Sequence, residues 1–144
     1  MQEQVFRHSH RVTYAECTAG NHVYYGRYLE ILEEARGEFF RHAGFALAEL
    51  HTNGAVFPVI GLELAYKAQA RYDDVLTIEL WISEMRGVRL SFGFRILHAD
   101  GRVLTEGETR HVCAGIDEKP RRMPKELTER LQEFVRLHKN ADAP

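Results

Sequence analysis

Residues 24–43 carry more apolar surface than a helix on the outside of a protein can. Tyr24, Tyr28, Ile31, Leu32, Ala35, Phe39 and Phe40 recur at the spacing of one helical stripe. Glu30, Glu33, Glu34, Arg36, Glu38 and Arg41 fall between them, and Gly44 follows, the residue expected just past a helix C-terminus. The spacing predicts a helix over 24–43, buried along much of its length. Such a helix needs a wrapping.

The rest of the chain supplies one. Residues 5–14 read as a first strand, with His8, His10 and Arg11 among apolar residues. Residues 45–51 form a short helical turn, and Thr52-Asn53-Gly54 is turn chemistry. Then come strands at 56–66, carrying Glu63, at 75–84, at 88–98 and at 103–116. In the second of these, Leu76, Ile78, Leu80 and Ile82 face inward while Thr77, Glu79, Trp81 and Ser83 face outward. Asp100-Gly101 signals a hairpin. Pro120 and Pro124 bracket a basic link before an amphipathic helix over 125–137, with a frayed tail after it. Consecutive strands rather than strict alternation with helices predict an α+β fold. Its mostly antiparallel sheet of about five strands would surround the long helix in a single domain spanning residues 1–144.

Between the first strand and that helix, the alternating pattern breaks at Ala19-Gly20-Asn21. A strand that runs through such a break into a helix brings free backbone N–H groups to one place, suited to an anion or a polarised carbonyl.

Composition narrows the partners. A net charge of −2 gives no electrostatic case for nucleic acid. No apolar run approaches a membrane span, and the N-terminus lacks a signal peptide's apolar core. Two cysteines, Cys17 and Cys113, are too few for a disulfide scaffold and suit a reducing, cytoplasmic setting. The eight histidines show neither HxxxH nor HExxH spacing, and no GxGxxG or Walker loop is present, so neither a metal nor a dinucleotide site is expected.

The stretch Tyr14-Ala15-Glu16-Cys17-Thr18-Ala19-Gly20-Asn21-His22-Val23-Tyr24-Tyr25-Gly26-Arg27-Tyr28, followed by Glu33-Glu34-Ala35-Arg36, resembles the signature of hotdog-fold acyl-CoA thioesterases. The 4-hydroxybenzoyl-CoA and Tol-Pal-associated groups are the nearest in pattern. Residues 70–79 are similar to the family's second shared segment, and Lys119-Pro120-Arg121 ahead of a Pro-led helix also fits. The resemblance runs from about residue 5 to 135. It implies a curled sheet around a central helix and dimers whose sheets join edge to edge, often paired into tetramers. Active sites would lie at the dimer interface, with an acyl-CoA or carrier-protein-bound acyl chain as substrate and no cofactor.

One position departs from the pattern. The family usually carries an Asp where this chain has Thr18, and that carboxylate acts as nucleophile or as base toward water. A Thr hydroxyl cannot serve as a base near neutral pH. Three routes keep the chemistry. Thr18 orients a water while the helix start at Tyr24 and Tyr25 stabilises the oxyanion, as in the similar enediyne-type branch with a neutral polar residue there. Alternatively Glu16 or His22 is the base with Thr18 as relay, or Glu63 reaches in from the opposing strand. The resemblance also implies substrate contacts from Asn21, Tyr24 and Tyr28, and CoA phosphate contacts from Arg86, Arg89, Arg121 and Arg122.

Plainer roles stand beside these. Thr18 suits a turn that bonds its own backbone, His22 a loop contact, and Glu33 with Arg36 an i,i+3 salt bridge. Thr18 also favours a rival function, a non-hydrolytic protein that binds or scaffolds acyl thioesters.

Overall fold

The computed structural model describes residues 4–136. In order, the elements are β1 (Phe6–Arg11), a 3₁₀ turn (Tyr14–Glu16), α1 (Arg27–His42), α2 (Leu47–Thr52), β2 (Val59–Tyr66), β3 (Val75–Arg86), β4 (Arg89–His98), β5 (Val103–Val112), α3 (Lys125–Leu131) and a final 3₁₀ turn (Gln132–Phe134). The five strands form one curled antiparallel sheet in the order β1-β3-β4-β5-β2.

The sheet wraps α1 as its apolar stripe requires. Tyr28, Ile31, Leu32, Ala35, Phe39 and Phe40 are all buried. Against them lie Leu76, Ile78, Leu80 and Ile82 of β3, with Leu90, Phe92, Phe94 and Ile96 of β4, each on the inward phase of its strand. Phe39 meets Phe92 edge to face at 5.5 Å and Phe134 at 4.8 Å. Truncating it to Ala would cost about 3–5 kcal/mol. Leu127, Leu131 and Phe134 close the end of the core.

Element ends differ from the sequence reading for identifiable reasons. α1 begins three residues later than expected, because Tyr24–Gly26 form a turn: the Tyr24 N–H bonds back to the Glu16 carbonyl (2.9 Å) and the Arg27 N–H to the Tyr24 carbonyl (2.8 Å). Its end is as read, with Gly44 in the left-handed region at φ +90°. β1 stops at Arg11, since Thr13 opens a capping box with Glu16 and the chain coils. β2 starts at Val59, after Pro58, which has no N–H to give a ladder; Val56 makes an isolated bridge to Ala114 instead. β5 ends at Val112, four residues short of the expected 116, where Cys113 turns its N–H to the Val88 carbonyl. The terminal helix gives way to a 3₁₀ turn after Leu131, and Leu137 and the tail lie outside the described residues.

β2 is the strand whose environment its apolar content does not reveal. It reads as a strand with strong apolar content, yet it lies at the sheet's edge with Val59, Ile60, Leu62 and Tyr66 exposed by 41–53%. An apolar edge of this kind is an unfinished surface.

Candidate active site

The break at Ala19-Gly20-Asn21 is a tight hairpin. Cys17 and Val23 form an antiparallel bridge, the Thr18 N–H bonds the His22 carbonyl (2.8 Å), and the Asn21 N–H bonds the Thr18 carbonyl (3.0 Å). Asn21 sits at φ +61°, a region Asn tolerates better than most residues. Its side chain serves the fold: Oδ1 accepts the Tyr72 N–H (3.3 Å), and its carbonyl accepts from Arg71 (3.2 Å). With the Val23 N–H bound to the Ala70 carbonyl (2.9 Å), the hairpin is docked on residues 70–72. The two segments the family resemblance singled out are therefore in contact.

Thr18 Oγ1 accepts the Gly20 N–H at 3.3 Å, as the plainer reading of that residue expects. Its hydroxyl proton remains available for donation. His22 lies on the same side of Gly20: a Cβ added there would sit 3.4 Å from the imidazole Cδ2 and 3.7 Å from Thr18 Oγ1. The two candidate side chains thus flank a glycine whose missing Cβ leaves the space between them open.

At the start of α1, the Tyr25 carbonyl accepts the Tyr66 hydroxyl at 2.8 Å, and the Tyr25 ring packs on Tyr24 at 4.5 Å. The Tyr25 N–H has no partner among the described residues. It lies in the turn that leads into α1, one residue ahead of the N-cap Gly26 and two residues after the hairpin's closing Val23. Tyr28, expected to bound an acyl pocket, is instead buried, and its hydroxyl accepts the Ala70 N–H (3.1 Å).

Glu16 is not arranged as the base envisaged from the sequence. That role required the strand to continue to Thr18, and the chain coils into a 3₁₀ turn at 14–16 instead. The carboxylate accepts the Thr13 N–H (2.8 Å) and meets His10 Nε2 at 3.0 Å. His10 Nδ1 in turn meets Glu34 at 3.2 Å, and Glu34 meets His8 Nε2 at 2.6 Å. This row of alternating imidazoles and carboxylates ties β1 to α1 behind the hairpin. Burial alone would push His10 down, but Glu16 and Glu34 outweigh it and hold its pKa above the ordinary value. Burial likewise opposes Glu34, and its bonds to His8 and His10 prevail, holding it low. Sequence reasoning missed this row; His8 and His10, two apart on a strand and so on one face, were its signal.

The remaining candidates lie elsewhere. Glu63, on the edge strand, is three-quarters exposed and has Arg110 at 3.9 Å as its nearest cation. Arg86 and Arg89 face each other across the β3–β4 turn. The hairpin docks beside the other end of β3, so these arginines stand about 35 Å away along an 11-residue strand path. Arg121 donates to the Asn53 and Gly54 carbonyls (3.3 and 2.7 Å), closing the turn after α2, and Arg122 is exposed. That far end also holds a cavity of about 500 Å³, lined in part by Arg36, Phe40, Phe57, Phe92 and His111. The i,i+3 salt bridge read for Glu33 and Arg36 does not form: both line this cavity, and Arg36 has no ion pair among the described residues.

A curled antiparallel sheet around a buried helix, with a docked hairpin at the helix start, defines a class of acyl-thioester enzymes, and comparison with known proteins agrees. The model of the thioesterase-like superfamily matches residues 12–131, and the chain belongs to that family. It is 38% identical over 128 residues to the acyl-CoA thioester hydrolase YbgC of Escherichia coli O6:H1, covering 88% of this chain and 96% of that one. It is 32% identical over 119 residues to the acyl-CoA thioesterase YbgC of Haemophilus influenzae, covering 81% and 87%. Among solved structures, a probable thioesterase from Bartonella henselae superposes with a TM-score of 0.79 at 31% identity, covering 84% of this chain and all of the other.

Proposed function

We propose that this protein hydrolyses acyl thioesters to a free acid and a thiol, with acyl-CoA as substrate and two copies of the chain forming each active site. The observation that carries the reading is the unpartnered Tyr25 N–H, at the start of α1 and next to the hairpin that holds Thr18. The thioester oxygen sits on this donor, and the helix start favours the charge that develops there. Thr18 donates its hydroxyl proton to the attacking water and orients it; it does not remove the water's proton. His22, across Gly20, is the nearest imidazole for that step, and Glu63 of a second subunit is the alternative. No metal or cofactor enters the mechanism.

Topology supports the second subunit. β2 is an exposed apolar edge, and a second β2 pairing antiparallel with it across a two-fold axis would complete the sheet. Such pairing sets the Tyr66 end of one subunit beside the Val59 end of the other. Tyr66 is bonded to Tyr25, while Val59 pairs with His111 near Arg89. The arrangement thus brings the hairpin of one subunit to the cationic end of its partner, where CoA phosphates find guanidinium groups. The unpaired cysteines suit a cytoplasmic enzyme.

The test is thiol release, followed with DTNB, from a panel of aromatic and fatty acyl-CoAs. Release well above background is expected with at least one. Measurable CoA binding with no release from any would sink hydrolysis and leave the non-hydrolytic binding protein. One feature favours that second reading: among the described residues, Thr18 Oγ1 contacts no carboxylate or imidazole at hydrogen-bond distance.

A further inference from the structure

The cavity at the far end lies between the second half of α1, α2 and the segment leading into β2, with Phe92 and His111 of the sheet as its floor. Three phenylalanine rings, Phe40, Phe57 and Phe92, make most of it apolar. A cavity of about 500 Å³ is within the ordinary range for a small organic ligand.

Four titratable side chains line it: Glu33 and His51 are exposed, whereas His111 and Arg36 are set further in and behave differently from each other. His111 is fully committed: Nδ1–H donates to the Phe57 carbonyl (3.1 Å), and Nε2 accepts the Thr109 hydroxyl (3.0 Å). Burial, with the nearby Arg36 charge adding to it, lowers its pKa to about 4, so it stays neutral. Arg36 is the reverse. Its guanidinium is mostly withdrawn from solvent yet makes no hydrogen bond or ion pair with any described residue. Glu33, one turn back, acts on its charge from beyond ion-pair distance and is itself exposed to solvent. Unpaired donors on a partly desolvated cation are costly. A guanidinium left open in an aromatic cavity is therefore a ready receptor for a planar anion.

We propose that this cavity receives the far end of the acyl group and selects acyl groups that carry a carboxylate there, with Arg36 as the residue that reads it. The inference rests on the thioester hydrolase reading, in which the cavity of one subunit stands beside the hairpin of the other. A carboxylate fits better than a CoA phosphate: the apolar walls suit the body of an acyl group, whereas Arg86 and Arg89 stand outside on an exposed turn for the nucleotide. A neutral acyl group would cover the half-buried Arg36 further and leave it unpaired.

The experiment compares kcat/KM for CoA thioesters matched in shape and differing by carboxylate against methyl: glutaryl with pentanoyl, suberyl with octanoyl, and 4-carboxybenzoyl with 4-methylbenzoyl. The protein is expected to prefer the carboxylated member of at least one pair by about tenfold or more. Arg36→Gln should lower that member by about 10- to 100-fold and its partner far less. Glu33→Gln, an exposed and structurally mild change, should move the preference the other way, by about two- to fivefold, because it removes a competing negative charge. If methyl members are turned over as well as carboxylated ones and neither variant changes the ratio, the inference is wrong while the hydrolase stands. If Arg36→Gln weakens binding of CoA itself, the guanidinium serves the nucleotide and the inference is equally wrong. If no thioester is cleaved, the hydrolase reading has failed, and binding of benzene-1,4-dicarboxylate against 4-methylbenzoate decides the cavity alone. Should Arg36→Gln not fold, the Glu33→Gln ratio decides by its gain or its absence.

Discussion

The two ends of the sheet in one subunit are unlike. At the hairpin end, Thr18, Tyr25 and the Tyr66 hydroxyl supply directional hydrogen-bond donors and acceptors, and Thr18 and His22 flank an open glycine. At the other end, Arg36 lines an open, largely aromatic cavity, and Arg86 and Arg89 stand outside it on the β3–β4 turn. One end can polarise a carbonyl but has little to hold a substrate with. The other can hold an anionic, partly apolar ligand but has no donor aimed at a thioester. About 35 Å of strand separates them. In the proposed dimer each subunit would carry two halves of different sites, and the apolar β2 edge is what would join a half to its complement.

The sharpest way to break that comparison is to block the edge. A Leu62→Lys, Ile60→Lys double variant places two charges on the exposed face of β2, where they cost the isolated subunit little. We expect a monomer by light scattering, an unchanged far-ultraviolet spectrum, and thioesterase activity reduced by about 10³-fold, the scale of a lost catalytic constellation. A fully active monomer would show that one subunit holds a complete site. Next in size is Tyr25→Pro, which removes the unpartnered N–H in the turn ahead of α1. Loss of one oxyanion donor costs about 10²–10³ in kcat. Tyr25→Phe keeps the N–H and the ring and should stay close to the parent, so a parallel fall in both would assign the effect to the Tyr25 hydroxyl. Smaller again is Thr18→Asp, which adds a carboxylate beside the open glycine. Turnover should rise by about 10-fold or more if water activation limits the rate; an unchanged kcat would place the limiting step elsewhere or the water away from Thr18. His22→Ala and Glu63→Gln then separate the two candidate bases.

The fold was legible because one physical demand dominated it. A helix bearing Ile31, Leu32, Phe39 and Phe40 between its charges has to be enclosed, and the alternation at Leu76, Ile78, Leu80 and Ile82 showed which face of the sheet does so. The hairpin's position was legible too, from Gly20 and Asn21. Side-chain partners were not. Glu16 sits two residues from Thr18 in sequence, but a capping box rotates it toward His10. Tyr28 shares the stripe of Tyr24, yet the Ala70 N–H claims its hydroxyl in the core. Arg36 looked like half of a surface ion pair because spacing alone cannot show that a cavity opens between α1 and α2. Local spacing reports periodicity; it does not report which long-range neighbour arrives first.

The two histidine environments provide the last contrast, with opposite signs. His111 has a folded pKa of about 4 against an ordinary 6.5, so the unfolded chain binds a proton across that interval while the folded one does not. Stability linked to His111 is present above pH 6.5 and is lost as pH falls through the interval, by at most about 3 kcal/mol. His10 is shifted upward, so its contribution is fully present below pH 6.5 and is lost as pH rises through its folded pKa. Glu34, held low, adds an acid loss only below the ordinary carboxylate range. Urea unfolding midpoints measured from pH 5 to pH 8 should therefore pass through a maximum near neutrality. His111→Gln should flatten the acid limb between pH 5 and 6.5, and His10→Gln the alkaline one, whatever either substitution does to stability at the maximum. An acid limb that keeps its slope in His111→Gln would mean that the cavity floor is hydrated enough to accept a charged imidazole, and with it the case for an uncompensated Arg36 would weaken.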